Sequence, residues 1–194
     1  MSTLKLAAVF SDKTLASTMA DFSQSLMFEA CAETTHHLPF AALVLGTSPK
    51  LMDLQRQEGQ GLYLVSERAL LNQPLGELNR DMLPVSVGIF PLVAKAEIGP
   101  EAADRHWLEQ HAPIALQVHT AMTHYYQLTV MHKFSGEDWD GLALCCFANE
   151  DDLRNKFYSS AKGKQQVSED IAKFADTKRS PRRVVARLVS GHAR

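Results

Sequence analysis

The period of the apolar positions changes along the chain, and that period separates strands from helices. Leu4 to Phe10 is a short apolar run that predicts a buried strand, with Ser11 and Asp12 behind it as cap residues. From Lys13 to about Thr35 the apolar residues Leu15, Met19, Phe22, Leu26, Phe28 and Ala30 follow a helical spacing over most of the stretch and predict one amphipathic helix. Pro39 stops it, and the unbroken run Phe40 to Leu45 predicts a second strand ending at Gly46. Pro49 to Glu58 predicts a short helix broken by Gly59-Gln60-Gly61, and Leu62 to Val65 a third strand. Arg68 to Leu83, with Pro74 and Gly76 inside and Pro84 behind, reads as irregular and as the boundary between two halves.

The second half is clearer. Val85 to Ala96 is strand-like and alternates at its start, with Pro91 implying an edge or a bulge. Gly99-Pro100-Glu101 opens a helix that runs to about His119 and is kinked or interrupted at Pro113, which lacks a donor N–H. Tyr125 to Phe134 and Gly141 to Phe147 are strands around a polar turn. Asn149 or Glu150 caps a helix that Gly163 interrupts, a further helical segment holds Val167, Ile171 and Phe174, and Arg182 to Val189 is the last strand. From Val85 the order is β-α-β-β-α-β, the ferredoxin-like arrangement of the α+β class. Such a sheet carries helices on one face only and must cover the other. Two antiparallel sheets pairing into an α+β barrel solve this, either as tandem halves of one chain or as two chains. The division is 1–83, an N-terminal α+β half read as a degenerate repeat, and 84–194.

Composition narrows the function classes. The chain has 194 residues, 45% hydrophobic and 22% charged, with 20 Lys+Arg against 22 Asp+Glu. That balance is globular and argues against a nucleic-acid partner. No run approaches the roughly 20 apolar residues of a membrane helix, so no membrane partner is expected and a cytoplasmic location is. Three cysteines, two of them the adjacent Cys145 and Cys146, do not make a disulfide framework.

Three blocks of the second half carry a family likeness. They are His106-Trp107-Leu108-Glu109-Gln110-His111-Ala112-Pro113, then Trp139-Asp140-Gly141 entering a strand, then Ser168-Glu169-Asp170 through Phe174-Ala175-Asp176 with Pro181 behind. Over roughly residues 85–190 the chain resembles the EthD family of the dimeric α+β barrels. The resemblance implies a barrel of paired sheets, a homodimer by default, and a small hydrophobic, aromatic, polyketide-like or xenobiotic ligand. It also implies cofactor-free proton-transfer chemistry such as decarboxylation, dehydration, isomerisation or oxygenation. Some barrel relatives bind haem through a helix histidine. A non-catalytic ligand-binding or assembly module remains the alternative.

His111 is the leading candidate, because an imidazole can take a proton near neutrality; a structural bond from helix to sheet is its other role. Trp107 lies four residues before it on the same face, as a substrate contact or as packing. His106 is expected on another face, exposed. Along the strand His124 to His132, one alternating set holds Tyr125, Gln127, Thr129 and Met131, and the other Tyr126, Leu128, Val130 and His132. The Tyr125 set is expected toward the pocket, with Tyr125 orienting an oxyanion, Gln127 and Met131 touching substrate, and His132 assisting proton transfer. His106 and His111 are five apart, off the one-turn spacing of a metal pair, so no metal and no other cofactor is expected. The basic residues Lys178, Arg179, Arg182, Arg183 and Arg187 read as a solvated strand edge.

Overall fold

The computed structural model describes residues 3–20, 23–32, 37–56, 60–78 and 82–189. Phe22, Thr35, Glu58 and Gly59, used above, lie outside the described residues. The strands are β1 (Thr3–Phe10), β2 (Ser25–Ala30), β3 (Ala42–Gly46), β4 (Gly61–Leu71), β5 (Ser86–Leu92), β6 (Met122–Ser135), β7 (Gly141–Phe147) and β8 (Val184–Val189). The helices are α1 (Lys13–Met19), α2 (Gly99–His106), α3 (Ala112–Val118), α4 (Glu150–Asn155) and α5 (Ala161–Phe174), with a 3-10 turn over Pro49–Arg56.

The eight strands close into one antiparallel barrel in the order β1-β3-β2-β8-β5-β7-β6-β4. Each half contributes its strands in the same order, fourth, first, third, second: β4-β1-β3-β2 and β8-β5-β7-β6. The halves join where β2 pairs with β8 and β4 with β6. The tandem arrangement therefore closes within one chain. Val9, Phe28, Leu43, Val65, Ile89, Leu128, Leu144 and Ala186, one from each strand, belong to a single buried cluster. The barrel interior is packed with side chains.

Several expectations change. The long helix after Lys13 is only α1, capped by Asp12, whose side chain accepts from the Thr14 and Leu15 N–H groups. Ser25–Ala30 is instead β2, because pairing with β3 and β8 satisfies its backbone on both sides. The irregular stretch after Arg68 begins later, since β4 runs on to Leu71 against β6. Gly163 does not interrupt a helix; it sits in the first turn of α5, its N–H donating to the Ser160 cap at 3.0 Å. Of the two expectations for Pro91 the edge is the one found, since β8 pairs with β5 only from Ser86 to Ile89 and leaves Pro91 unpaired on that side. The basic residues near β8 do not mark an edge, because β8 is paired on both sides and Arg187 meets Glu29 at 3.6 Å.

Outside the barrel the halves diverge. The first half packs α1 and the 3-10 turn onto its sheet through a solid cluster of Ala8, Phe10, Ala16, Met27, Val44, Leu51 and Leu62. The second half lays α2 to α5 over β5, β6 and β7, and there the layers do not meet completely.

Candidate active site

Pro113 shapes the helical stretch that carries the leading candidates. It cannot donate to an upstream carbonyl, and its ring would press on the carbonyl of Glu109 in a regular helix. The backbone widens to a π-helical turn over Trp107–His111, where the Ala112 N–H donates to Trp107 O. Such turns reset the register of a helix and recur at functional sites. Trp107 is 2% exposed and lies over the start of β7: a Cβ on Gly141 would come within 2.6 Å of its Cζ3. The Arg68 guanidinium sits 5.7 Å over the indole and forks onto Asp104 at 2.9 and 2.5 Å.

A cavity of about 230 Å³ lies between this helical layer and the sheet. Its floor is Phe90, Leu92, Tyr125, Ala143 and Cys145; its walls include Trp107, His111, His119, Phe157, Tyr158 and Phe174. The Tyr125 set of β6 faces the helices and not the barrel interior, so the pocket expected inside the barrel lies instead on the helix side of the sheet, where Tyr125 lines it. The barrel interior is taken by Tyr126 and Leu128 of the other set.

His111 is 6% exposed. Its Nδ1 lies 3.0 Å from Asp170 Oδ2 on α5. Burial pushes its pKa down, with the Asp170 carboxylate working the other way. Burial of itself pushes the Asp170 carboxyl up, but bonds from His106, Lys173 and His111 outweigh it and hold the pKa below the usual carboxylate value. An ionised carboxylate only accepts, so Nδ1–H is the donor and Nε2 is left as an unprotonated base on the cavity side. His119 repeats this pattern: its Nδ1–H donates to Phe157 O at 2.5 Å, and burial lowers its pKa. The cavity wall thus presents two neutral imidazoles, each with its tautomer fixed from behind.

Gln127 lies behind the floor, its Nε2 donating to Trp107 O at 3.0 Å and to Tyr125 Oη at 3.2 Å. Burial raises the Tyr125 pKa, so its hydroxyl keeps its proton. Burial also pushes the Cys145 thiol up to about 12, which removes it as a nucleophile near neutrality.

Of the six residues singled out in the sequence, Trp107, His111 and Tyr125 line the cavity, and Gln127 supports two of them. Met131 and His132 do not join them. They stand exposed at the far end of β6, beside a separate surface recess. His106 is also not where a regular helix would put it. Its Nε2 lies 3.1 Å from Asp170 Oδ1, because the π turn aligns residues five apart. Sequence reasoning missed Asp170, which lay inside a quoted block, and His119. A carboxylate on one face of a helix is usually a solvated residue, and nothing local shows that this one is 2% exposed. Among the described residues no group of three or more His, Cys, Asp or Glu side chains is placed to hold a metal.

Residues 95–178 match the EthD domain. Over those residues the chain is similar to the EthD family. The match spans both helical layers of the cavity and the strands β6 and β7 beneath them. A crystal structure of an anthrone oxidase-like protein superposes with a TM-score of 0.58 at 10% identity, covering 98% of this chain and 94% of that one. A candidate monooxygenase from Lactobacillus acidophilus NCFM is a more distant likeness, with a TM-score of 0.47, 9% identity and coverage of 96% and 92%. The likeness to the anthrone oxidase-like protein shows the shared α+β barrel fold. Curated protein sequences contain no match to the chain.

Proposed function

We propose that the EthD-like region binds a small aromatic compound in the cavity beside His111 and moves a proton there, with His111 as the base. One observation carries this reading: the buried His111–Asp170 pair at 3.0 Å leaves Nε2 as the basic atom of a largely apolar pocket. Low polarity favours charge dispersal into a conjugated anion, and the Tyr125 hydroxyl, which stays protonated, is a donor for the oxygen that gains that charge. Trp107 and Phe174 supply flat apolar walls for a ring.

The size limits the ligand. An apolar cavity of about 150 Å³ accepts benzene. The cavity beside His111, at about 230 Å³, matches one ring with substituents or two fused rings. Decarboxylation, dehydration, isomerisation and cofactor-free oxygenation all begin or end with such a proton transfer. The halves 1–83 and 84–194 are read as a duplicated unit in which, among the described residues, the second keeps this pocket. Free thiols at Cys31, Cys145 and Cys146 agree with a reducing, cytoplasmic setting. Pairing of two chains into a homodimer would be surface association, since barrel closure does not need it.

The test uses phenols and aromatic acids of one or two rings, screened by thermal shift. Binders are then followed in D₂O for exchange of acidic C–H positions by NMR. The wild-type protein should accelerate exchange, and His111→Gln should lower that rate by about a hundredfold or more while keeping the fold. A ligand that binds while wild type and His111→Gln leave its protons equally untouched would establish the non-catalytic binding module instead.

A further inference from the structure

Asp170 is shared. His111 uses Oδ2 at 3.0 Å, while His106 and Lys173 use Oδ1 at 3.1 and 3.2 Å. The two imidazoles differ in setting: the His106 side chain is 24% exposed and that of His111 7% exposed. Phe174 holds them together from one side, its ring centroid 5.2 Å from that of His106 and 5.3 Å from that of His111. One imidazole reaches solvent, the other reaches the cavity, and a single carboxylate joins them.

We propose that His106 is a positioning residue that sets the basicity of His111 through the charge of Asp170. With His106 neutral, the carboxylate charge is free to stabilise a proton on His111. A second proton on His106 places a full positive charge against Oδ1. The carboxylate is then matched from outside, the two imidazolium charges repel, and His111 becomes a weaker base. The cavity base thereby follows solvent pH while being shielded from solvent.

The other charged and titratable groups around the pair leave this logic intact. Lys173 on α5 is a constant cation, 62% exposed, so its share of the Asp170 charge is screened. His119 at the end of α3 is buried and held neutral, as are Tyr125 and Cys145 on the floor. Among all these groups, His106 is the one imidazole at the surface end of the Asp170 network. For catalysis the proposal rests on His111 being the cavity base; the coupling itself exists with or without a ligand.

The test is therefore made on the full chain without ligand. Uniformly ¹⁵N-labelled protein is titrated from about pH 5 to about pH 8, and the imidazole nitrogens of both histidines are followed. In the wild type the His111 nitrogen shifts should carry a second inflection at the midpoint of His106. In His106→Gln, whose amide N–H still reaches Oδ1 but carries no charge, that inflection should vanish. The His111 midpoint should then rise by about half a pH unit or more. His106→Phe should shift it the same way, with a lower melting temperature from the lost bond.

A single-inflection His111 curve in the wild type overturns the proposal even where the variants fail to fold. So does an unchanged midpoint in a folded His106→Gln. Shifted midpoints with no ligand found leave the coupling standing and count only against the proposed activity. Proton exchange by His111 with no midpoint shift does the reverse.

Discussion

At the residue scale, Asp170 carries the site. It receives donors from three side chains while being 2% exposed, and a buried carboxylate holds its charge only when it is bonded in this way. Asp170→Asn keeps the volume and removes the charge. An amide can meet Nδ1 with either its oxygen or its nitrogen, so the His111 tautomer is no longer fixed. The expected result is a loss of at least about a hundredfold in ligand proton exchange. Denaturant titration should read a stability loss of about 1–3 kcal/mol from the broken bonds. An Asp170→Asn protein that exchanges ligand protons at the wild-type rate would show that the pair with His111 is structural.

At the element scale, the π turn decides which side chains meet. In a regular helix residues five apart are rotated well away from each other; here the wider turn brings His106 and His111 to one carboxylate. Glu109 is exposed in the middle of this turn. Deleting it removes the extra residue and lets the backbone return to α register. The deletion leaves His106 and His111 four residues apart, so a regular helix still brings both to one face and α3 keeps its orientation. Far-ultraviolet circular dichroism should stay near wild type and the His111 Nδ1 proton should keep its bond to Asp170, while the melting temperature falls because the Pro113 ring then presses on an upstream carbonyl. Loss of that bonded proton from the NMR spectrum would show that the π turn itself, and not the shared helix face, fixes His111.

At the scale of the whole molecule, barrel closure and buried histidines set the response to dilution and to pH. The ladder closes within one chain, so no strand edge waits for a second copy. The melting temperature should stay constant over about a hundredfold range of protein concentration, which a fold completed only by dimerisation would not do. His111, His119 and His124 all have pKa values pushed below 6.5 by burial. In the unfolded chain they take protons at about 6.5, while in the folded chain they do so only at lower pH. Between those values the unfolded state binds more protons, so stability rises with pH. The stabilisation is complete above about pH 6.5 and is lost as pH falls through the folded-state values. Urea midpoints should therefore drop between about pH 7.5 and about pH 5.5, and less steeply in His119→Gln. Asp170 adds a second, more acidic loss, because its lowered pKa gives a stabilisation that is complete above about pH 3.8 and is lost as pH falls through its folded-state value.

The sequence by itself determined what local chemistry can specify. The β-α-β-β-α-β order of the second half, strand β7 from Gly141 to Phe147, and caps at Asn149 or Glu150 and at Ser11 or Asp12 follow from period and punctuation, and a recognisable helix block drew attention to Trp107 and His111. Tertiary structure decided the rest. Leu26, Phe28 and Ala30 fit either period, and only partners on both sides make Ser25–Ala30 a strand. The face of β6 was legible as an alternation, but which face meets the helices depends on where the other strands lie. Met131 and His132 share that strand yet stand beyond the helical layer, because β6 extends past it. Asp170 reaches His106 and His111 from about sixty residues away, and those two meet only because a π turn replaces the expected period. Local sequence specifies periods and caps; the meeting of distant side chains depends on register and packing, which a one-dimensional pattern does not contain.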